Sequence, residues 1–141
     1  MIELKIIEND DDYLNAIALR EKSLRKPLGL SYSQEEINTE KSHINFAAYK
    51  NDQLLATATL VPKENSCKME RVAVKEGYQK QGIGSQLIKF IENEAMRLGF
   101  DNIYCHARDT AAPFYKKHGY VILGQPFYEV GIGHLMMRKI L

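Results

Sequence analysis

Between Met69 and Ser85 the chain carries a β-prone run, Met69-Glu70-Arg71-Val72-Ala73-Val74, then Lys75-Glu76-Gly77-Tyr78, then the loop Gln79-Lys80-Gln81-Gly82-Ile83-Gly84-Ser85. An amphipathic helix follows at once, because Ile83, Leu87, Ile88, Ile91, Ala95 and Leu98 recur at steps of three and four. The first N–H groups of a helix have no intrahelical acceptor, and the helix dipole there favours negative charge. Gly82 and Gly84 remove side chains, so a pyrophosphate can come close to those donors, and Lys80 adds a positive charge beside them. The chemistry of this stretch is anion binding. It is not a nucleotide P-loop, which ends in Gly-Lys-Ser/Thr, nor a dinucleotide fingerprint, which needs a third glycine. On the glycines alone, a tight strand-to-helix turn that binds nothing fits equally well.

The other chemistry-bearing residues are sparse. Cys67 and Cys105 stand apart with no CxxC pair and no nearby histidine cluster, so they read as free thiols and no metal site is expected. His106 and His134 have the side chain that titrates near neutrality and can relay a proton, although a structural histidine is the plainer reading of each. His118, near a helix C-terminus, suits the dipole and nothing more. Among 141 residues, 19 are basic and 18 acidic, a balance that argues against general nucleic-acid binding. No apolar run approaches the ~20 residues needed to cross a bilayer. The N-terminus lacks a signal-peptide pattern, so a cytoplasmic protein is expected.

The elements that must position these residues follow from periodicity. Ile2–Ile7 reads as a strand, and Asn9-Asp10-Asp11-Asp12 caps a helix that carries Leu14, Ile17, Ala18, Glu21 and Leu24 on its repeat and stops at Pro27-Leu28-Gly29. Ser33 and Glu36 match a capping box for a second helix through about Thr39. Ile44–Tyr49 and Leu54–Val61 form a hairpin around Lys50-Asn51-Asp52, and Cys67–Val74 is the third member of that meander. After the helix that ends at Gly99 come a strand at Ile103–Ala107, a short helix from Asp109 or Thr110 to Gly119, and strands at Val121–Leu123 and Leu135–Ile140. One α/β domain spanning residues 1–141 is expected, with three layers and helices on both faces of a twisted mixed sheet.

With these motifs in order, the chain resembles the GNAT superfamily of acyl-CoA-dependent N-acyltransferases. Gln79, Gly82 and Gly84 match the family's central Gln/Arg-x-x-Gly-x-Gly/Ala, and Arg71-Val72-Ala73-Val74 is similar to the strand before it. Ala112, Phe114-Tyr115 and Gly119-Tyr120 resemble the downstream Ala-x-x-Phe-Tyr-x-x-x-Gly-Phe run. The likeness covers about Leu54 to Leu123. The tail from Phe127 through Glu129 and Gly131-Ile132 to His134 is similar to a subgroup of small members of undefined substrate.

The resemblance implies acetyl-CoA as donor, no metal, and an amine acceptor, with neither nucleic acid nor membrane as a partner and a homodimer left open. Backbone groups of Val72, Ala73 and Val74 would hold the pantetheine arm, and Gln79, Lys80, Gln81, Gly82, Ile83, Gly84 and Ser85 the pyrophosphate. Tyr115 would donate to the departing thiolate. Glu70 would act as base, although Lys68 lies closer to the position where the histone-acetylating branch keeps its carboxylate. Arg20 and Arg25 fall where the family builds its acceptor pocket, and with His134 they are the expected acceptor contacts. The implied activity is direct acetyl transfer to a primary amine of a small molecule. The alternatives are a protein amine as acceptor or a non-catalytic acyl-CoA sensor.

Overall fold

The computed structural model describes residues 1–141. Four strands, β1 (Glu3–Ile6), β2 (Ile44–Lys50), β3 (Gln53–Pro62) and β4 (Cys67–Val74), form an antiparallel meander, with α1 (Asp10–Arg20) and α2 (Gln34–Lys41) inserted after β1. Then α3 (Ile83–Arg97) crosses over to β5 (Asn102–Arg108), and α4 (Ala112–Lys117) leads to the hairpin β6 (Val121–Glu129) and β7 (Ile132–Ile140). The seven strands lie in the order β1-β2-β3-β4-β5-β7-β6, and only β4 and β5 are parallel. A strand, a crossover helix and a parallel neighbour is the expected outcome for the second half.

Local chemistry accounts for these boundaries. Asn51 and Asp52 both take the left-handed conformation, with φ 51° and 61°, as a two-residue hairpin turn requires. Asn9 accepts from the Asp12 N–H, and Ser33 and Glu36 form a reciprocal capping box. The apolar stripe of α3 buries Ile83, Leu87, Ile88, Ile91 and Ala95 against Phe46, Ala58, Leu60, Met69, Ile103 and Met137. On the opposite face α1 and α2 bring a smaller apolar group, Tyr13, Ile17 and Tyr32, beside a buried polar one.

Two elements depart from the sequence expectation. The first helix ends as regular α-helix at Arg20 and continues as a wider π turn over Glu21–Arg25, then a 3-10 turn to Leu28 and left-handed Gly29. Pro27 has no N–H to give the Ser23 carbonyl and its ring crowds that carbonyl, so the turn loosens, and Lys26 N–H reaches back to Glu21 instead. The last hairpin is longer than Val121–Leu123 and Leu135–Ile140 suggested. Gly124 and Pro126 look like breakers, but they fall in a register shift on the outermost strand, where unpaired groups are tolerated.

Candidate active site

The site is made by a failure of strand pairing. Only Cys67–Met69 of β4 pair with Ile103–Cys105 of β5. Beyond that point β5 follows β7, where Arg108 lies opposite His134, while β4 stays with β3. Within β4 a bulge shifts the register between Thr57 and Thr59 of β3, and Arg71 takes φ 55°. A bulge bends its strand, so the two strands diverge and β4 presents an unpaired edge from Glu70 onward. The cavity between them has a volume of about 660 Å³. Val72, Ala73, Val74 and Gln79 line one end, and Tyr115 and His106 line it from the β5 side. The π turn contributes Ser23, Leu24 and Arg25 to the rim, and the β6–β7 hairpin contributes Glu129 and Val130.

At the end of β4 the chain enters α3 through Gly82, the N-cap, with φ 81° and ψ 1°. The first backbone bond of this helix runs from Gln86 N–H to Gly82 C=O, which leaves the N–H groups of Ile83, Gly84 and Ser85 without helical partners. No side chain caps them. Lys80 also sits at positive φ, 63°. At Gly84 a Cβ would stand 3.4 Å from the Phe114 ring and 3.8 Å from Val74, so loop, strand and α4 pack closely here. Ser85 Oγ lies 2.9 Å from His118 Nε2, a second tie between the loop and the end of α4. Replacing Gly82 with alanine puts a Cβ on left-handed backbone. Chemical denaturation should show a stability loss of about 1–2 kcal/mol, together with weaker binding of any anion held at these N–H groups.

Residues 16–141 match the sequence profile of the acetyltransferase (GNAT) domain. The chain belongs to the GNAT family of acyl-CoA-dependent N-acyltransferases. It is 30% identical over 137 residues to the uncharacterised N-acetyltransferase YjcF of Bacillus subtilis, covering 95% of this chain and 96% of YjcF. Among solved structures it superposes on an acyl-CoA N-acyltransferase from Pseudomonas aeruginosa with a TM-score of 0.86, 21% identity and 99% of each chain covered. A GNAT acetyltransferase from Elizabethkingia anophelis with acetyl-CoA bound gives 0.75, at 20% identity over 99% of this chain and 98% of that one. At those identities the structural likeness establishes the fold.

In this acetyltransferase Tyr115 is buried, with Phe114 and Tyr120 packed edge-on against its ring, and no side-chain hydrogen bond engages its hydroxyl. Burial, with Cys105 nearby as a lesser cause, pushes its pKa well above that of an ordinary phenol. Both thiols are buried, which raises Cys67 to about 11 and Cys105 to about 12. Neither is a thiolate at neutral pH, so neither is an activated nucleophile.

Glu70 lines the cavity and is 2.9 Å from Lys68 Nζ, its neighbour on the same strand face. Burial alone would raise its pKa, but the Lys68 hydrogen bond and the charges of Lys68, Arg71 and His43 outweigh it and hold the carboxyl below its usual range. Across the cavity His106 Nδ1–H donates to Glu129 Oε2 at 2.8 Å, an arrangement that fixes the ring. His134 also lines the cavity. Its Nδ1 donates to the Ile132 carbonyl at 2.8 Å, and its ring stacks on Phe127.

The two arginines expected at the acceptor end part company. Arg25 does line the cavity, with its guanidinium held by Glu36 and laid over the Tyr32 ring. Arg20 does not, and its assignment as an acceptor contact is corrected. It is fully buried between α1, α2 and the sheet, where NH1 donates to Glu40 at 3.0 Å and NH2 to Asn45 and Thr57, each at 2.9 Å. The repeat expected for this helix, Leu14, Ile17, Ala18, Glu21 and Leu24, leaves Arg20 on its flank. The face that is buried is instead Tyr13, Ala16, Ile17 and Arg20, with Leu14 exposed, and partners from α2, β2 and β3 meet Arg20 there. Arg71, Arg108 and Glu129 line the cavity and were not expected to. Strict alternation along β4 sends Arg71 to the α3 face, and the bulge turns it back to Glu40 on α2.

Proposed function

We propose that this chain transfers the acetyl group of acetyl-CoA to a primary amine of a small molecule by direct attack, with no acyl-enzyme. The observation that carries this reading is the divergence of β4 from β5 into a cavity that runs from Tyr115 toward Gln79, the first residue of the loop that opens α3. The pantetheine arm, with an alternation of amides and methylenes, can pair with the free edge of β4 at Val72, Ala73 and Val74 as a missing strand would. The pyrophosphate then falls on the N–H groups of the Gly82–Ser85 turn, with Gln79, Lys80 and Gln81 around it. The Elizabethkingia protein binds acetyl-CoA on the same fold, which supports the choice of donor.

In the reaction the amine nitrogen forms its bond to the thioester carbon, the C–S bond breaks, and the ammonium proton leaves with the base. Tyr115 meets the sulfur. A phenol that is harder to ionise than a thiol does not give up its proton outright to a weakly basic sulfur. It donates a hydrogen bond that strengthens as negative charge builds on the thiolate and keeps its own proton, and the released thiolate is protonated from solvent. The buried, unionised cysteines support direct attack. A small acceptor is favoured by the walls around the reacting end, where the Ser23–Arg25 turn and the Glu129–Val130 hairpin end stand on either side.

Glu70 takes the ammonium proton, directly or through a water. Its pairing with Lys68 keeps it ionised at the expense of basicity, while the cationic lining lowers the pKa of the bound amine and offsets that loss. His106, oriented by Glu129, is the second group able to do this. Thiol release from acetyl-CoA on a panel of small amines and one protein-derived peptide tests the function. No release with any amine would leave a CoA-binding protein without transferase activity, and release only with the peptide would move the acceptor class. On an active amine, Glu70→Gln is expected to lower kcat by about 100-fold, with His106→Asn close to the parent. The reverse pattern would move the role to His106 and Glu129.

A further inference from the structure

Arg71 stands at the mouth of the strand divergence in a conformation that a non-glycine residue rarely adopts, φ 55°. Such a conformation persists only when its surroundings hold it, and here they do. Its Nε donates to Glu40 Oε2 at 3.1 Å. Glu40 is itself fixed from behind, because its other oxygen accepts from Arg20 at 3.0 Å and from the Tyr32 hydroxyl at 3.3 Å. Burial opposes the charge of Arg71, but Glu40 outweighs it and its pKa is raised, so the guanidinium is cationic throughout. Only Nε is engaged, and the two terminal NH2 groups of a cavity-lining arginine have no protein partner. The fork is therefore oriented in advance of any ligand.

The neighbouring charges are committed elsewhere, and the balance is positive. Arg25 is closed off by Glu36 and Lys68 by Glu70, and the charge of Glu129, which is held by His106 Nδ1–H, is matched in number by that of Arg108. Arg108 on the opposite strand gives one NH2 to the Leu24 carbonyl at 3.3 Å, a contact that neutralises nothing. Glu40 has one negative charge to share between Arg20 and Arg71, so the cluster behind the cavity is one cation in excess. A simple alkyl-ammonium acceptor brings a further positive charge into this field. An acceptor with its own anionic group brings the charge the site lacks, and a carboxylate or phosphate matches a guanidinium fork with two parallel hydrogen bonds.

We propose that the acceptor is a primary amine bearing a carboxylate or phosphate group, and that Arg71, assisted by Arg108, binds that group and so selects the substrate. This rests on the acetyl-transfer reading above. The buried Arg20–Glu40 pair acts through Arg71 as a positioning element.

Matched pairs of amines test it: lysine against cadaverine, phenylalanine against 2-phenylethylamine, O-phosphoethanolamine against ethanolamine, and glucosamine 6-phosphate against glucosamine. With acetyl-CoA saturating, the anionic member of at least one pair is expected to show kcat/KM about 30-fold or more above its neutral partner, mainly through KM. Which pair does so distinguishes a carboxylate from a phosphate. Arg71→Gln should shrink that ratio to within about threefold, Arg71→Lys should restore part of it, and Arg108→Gln should reduce it less. Melting temperature and acetyl-CoA affinity of each variant separate lost selectivity from lost folding. Neutral members acetylated as well as or better than anionic ones by the parent enzyme, or no member of any pair acetylated while acetyl-CoA binds, would overturn the proposal. Failure of acetyl-CoA to bind at all would instead remove the function on which it rests.

Discussion

Replacing Tyr115 with phenylalanine is expected to lower kcat by about 100-fold or more while leaving the affinity for acetyl-CoA within about twofold. The size follows from losing one oriented donor to a charge that develops only as the C–S bond breaks, a loss that in comparable sites costs 10²–10³ in rate. Cofactor affinity should hold because the phenyl ring keeps its edge-on contacts with Phe114 and Tyr120, and the hydroxyl makes no side-chain hydrogen bond that folding needs. The pH dependence should separate the two roles. The variant should keep the parent's rise in rate as the amine loses its proton, because the base is untouched. Steady-state thiol release and a cofactor titration on the same preparation check both halves. A variant with unchanged kcat would remove Tyr115 from the chemistry.

The second large effect falls on stability. Arg20 is fully buried and Glu40 nearly so, at 4% exposed. Glu40→Ala would leave Arg20 with Asn45, Thr57 and the Ala58 carbonyl, all neutral, and would free Arg71. An unpaired buried charge of this kind costs about 3–5 kcal/mol, a large part of the 5–15 kcal/mol that holds a domain together. Urea denaturation should therefore show a midpoint shifted far below the parent's, or no folded baseline at all. The double change Arg20→Met with Glu40→Leu removes both charges and should recover much of the loss, because the cost lies in the uncompensated ion more than in the pair. A Glu40→Ala protein as stable as the parent would mean that Arg20 reaches water.

How much of this was legible in the residues follows from the range of the interactions involved. The capping box at Ser33 and Glu36, the Asn51-Asp52 turn, the stripe of α3 from Ile83 to Ala95 and the left-handed Gly99 are local, so neighbours in sequence specify them and they stand where expected, while Leu98, at the helix end, is exposed. The glycine loop was readable for the same reason: a strand, a turn and a helix start are contiguous. Arg71 was not. Its direction depends on a bulge that exists only in the pairing of β4 with β3, and on Glu40 arriving thirty-one positions away in sequence. Arg20 and Arg25 carry the same side chain on one helical segment, yet one is buried between the helices and the sheet and the other lines the cavity. Residues five apart on a helix already point about 140° away from one another, and which of the two faces the cavity is decided by partners distant in sequence, Glu40, Asn45 and Thr57 for Arg20. Glu129 and His106 meet across 23 positions only because β6 runs on past Gly124 and Pro126, so that Glu129 at its end reaches over β7 to the ring on β5.

The central claim is that the divergence of β4 from β5 and the Gly82–Ser85 turn together form an acyl-CoA site. The measurement that bears on it most directly is calorimetric titration of the protein with acetyl-CoA and, in parallel, with ATP. One saturable site for acetyl-CoA, weakened by Gly82→Ala, with no saturable binding of ATP, is the expected result. Saturable binding of ATP with none of acetyl-CoA would contradict it.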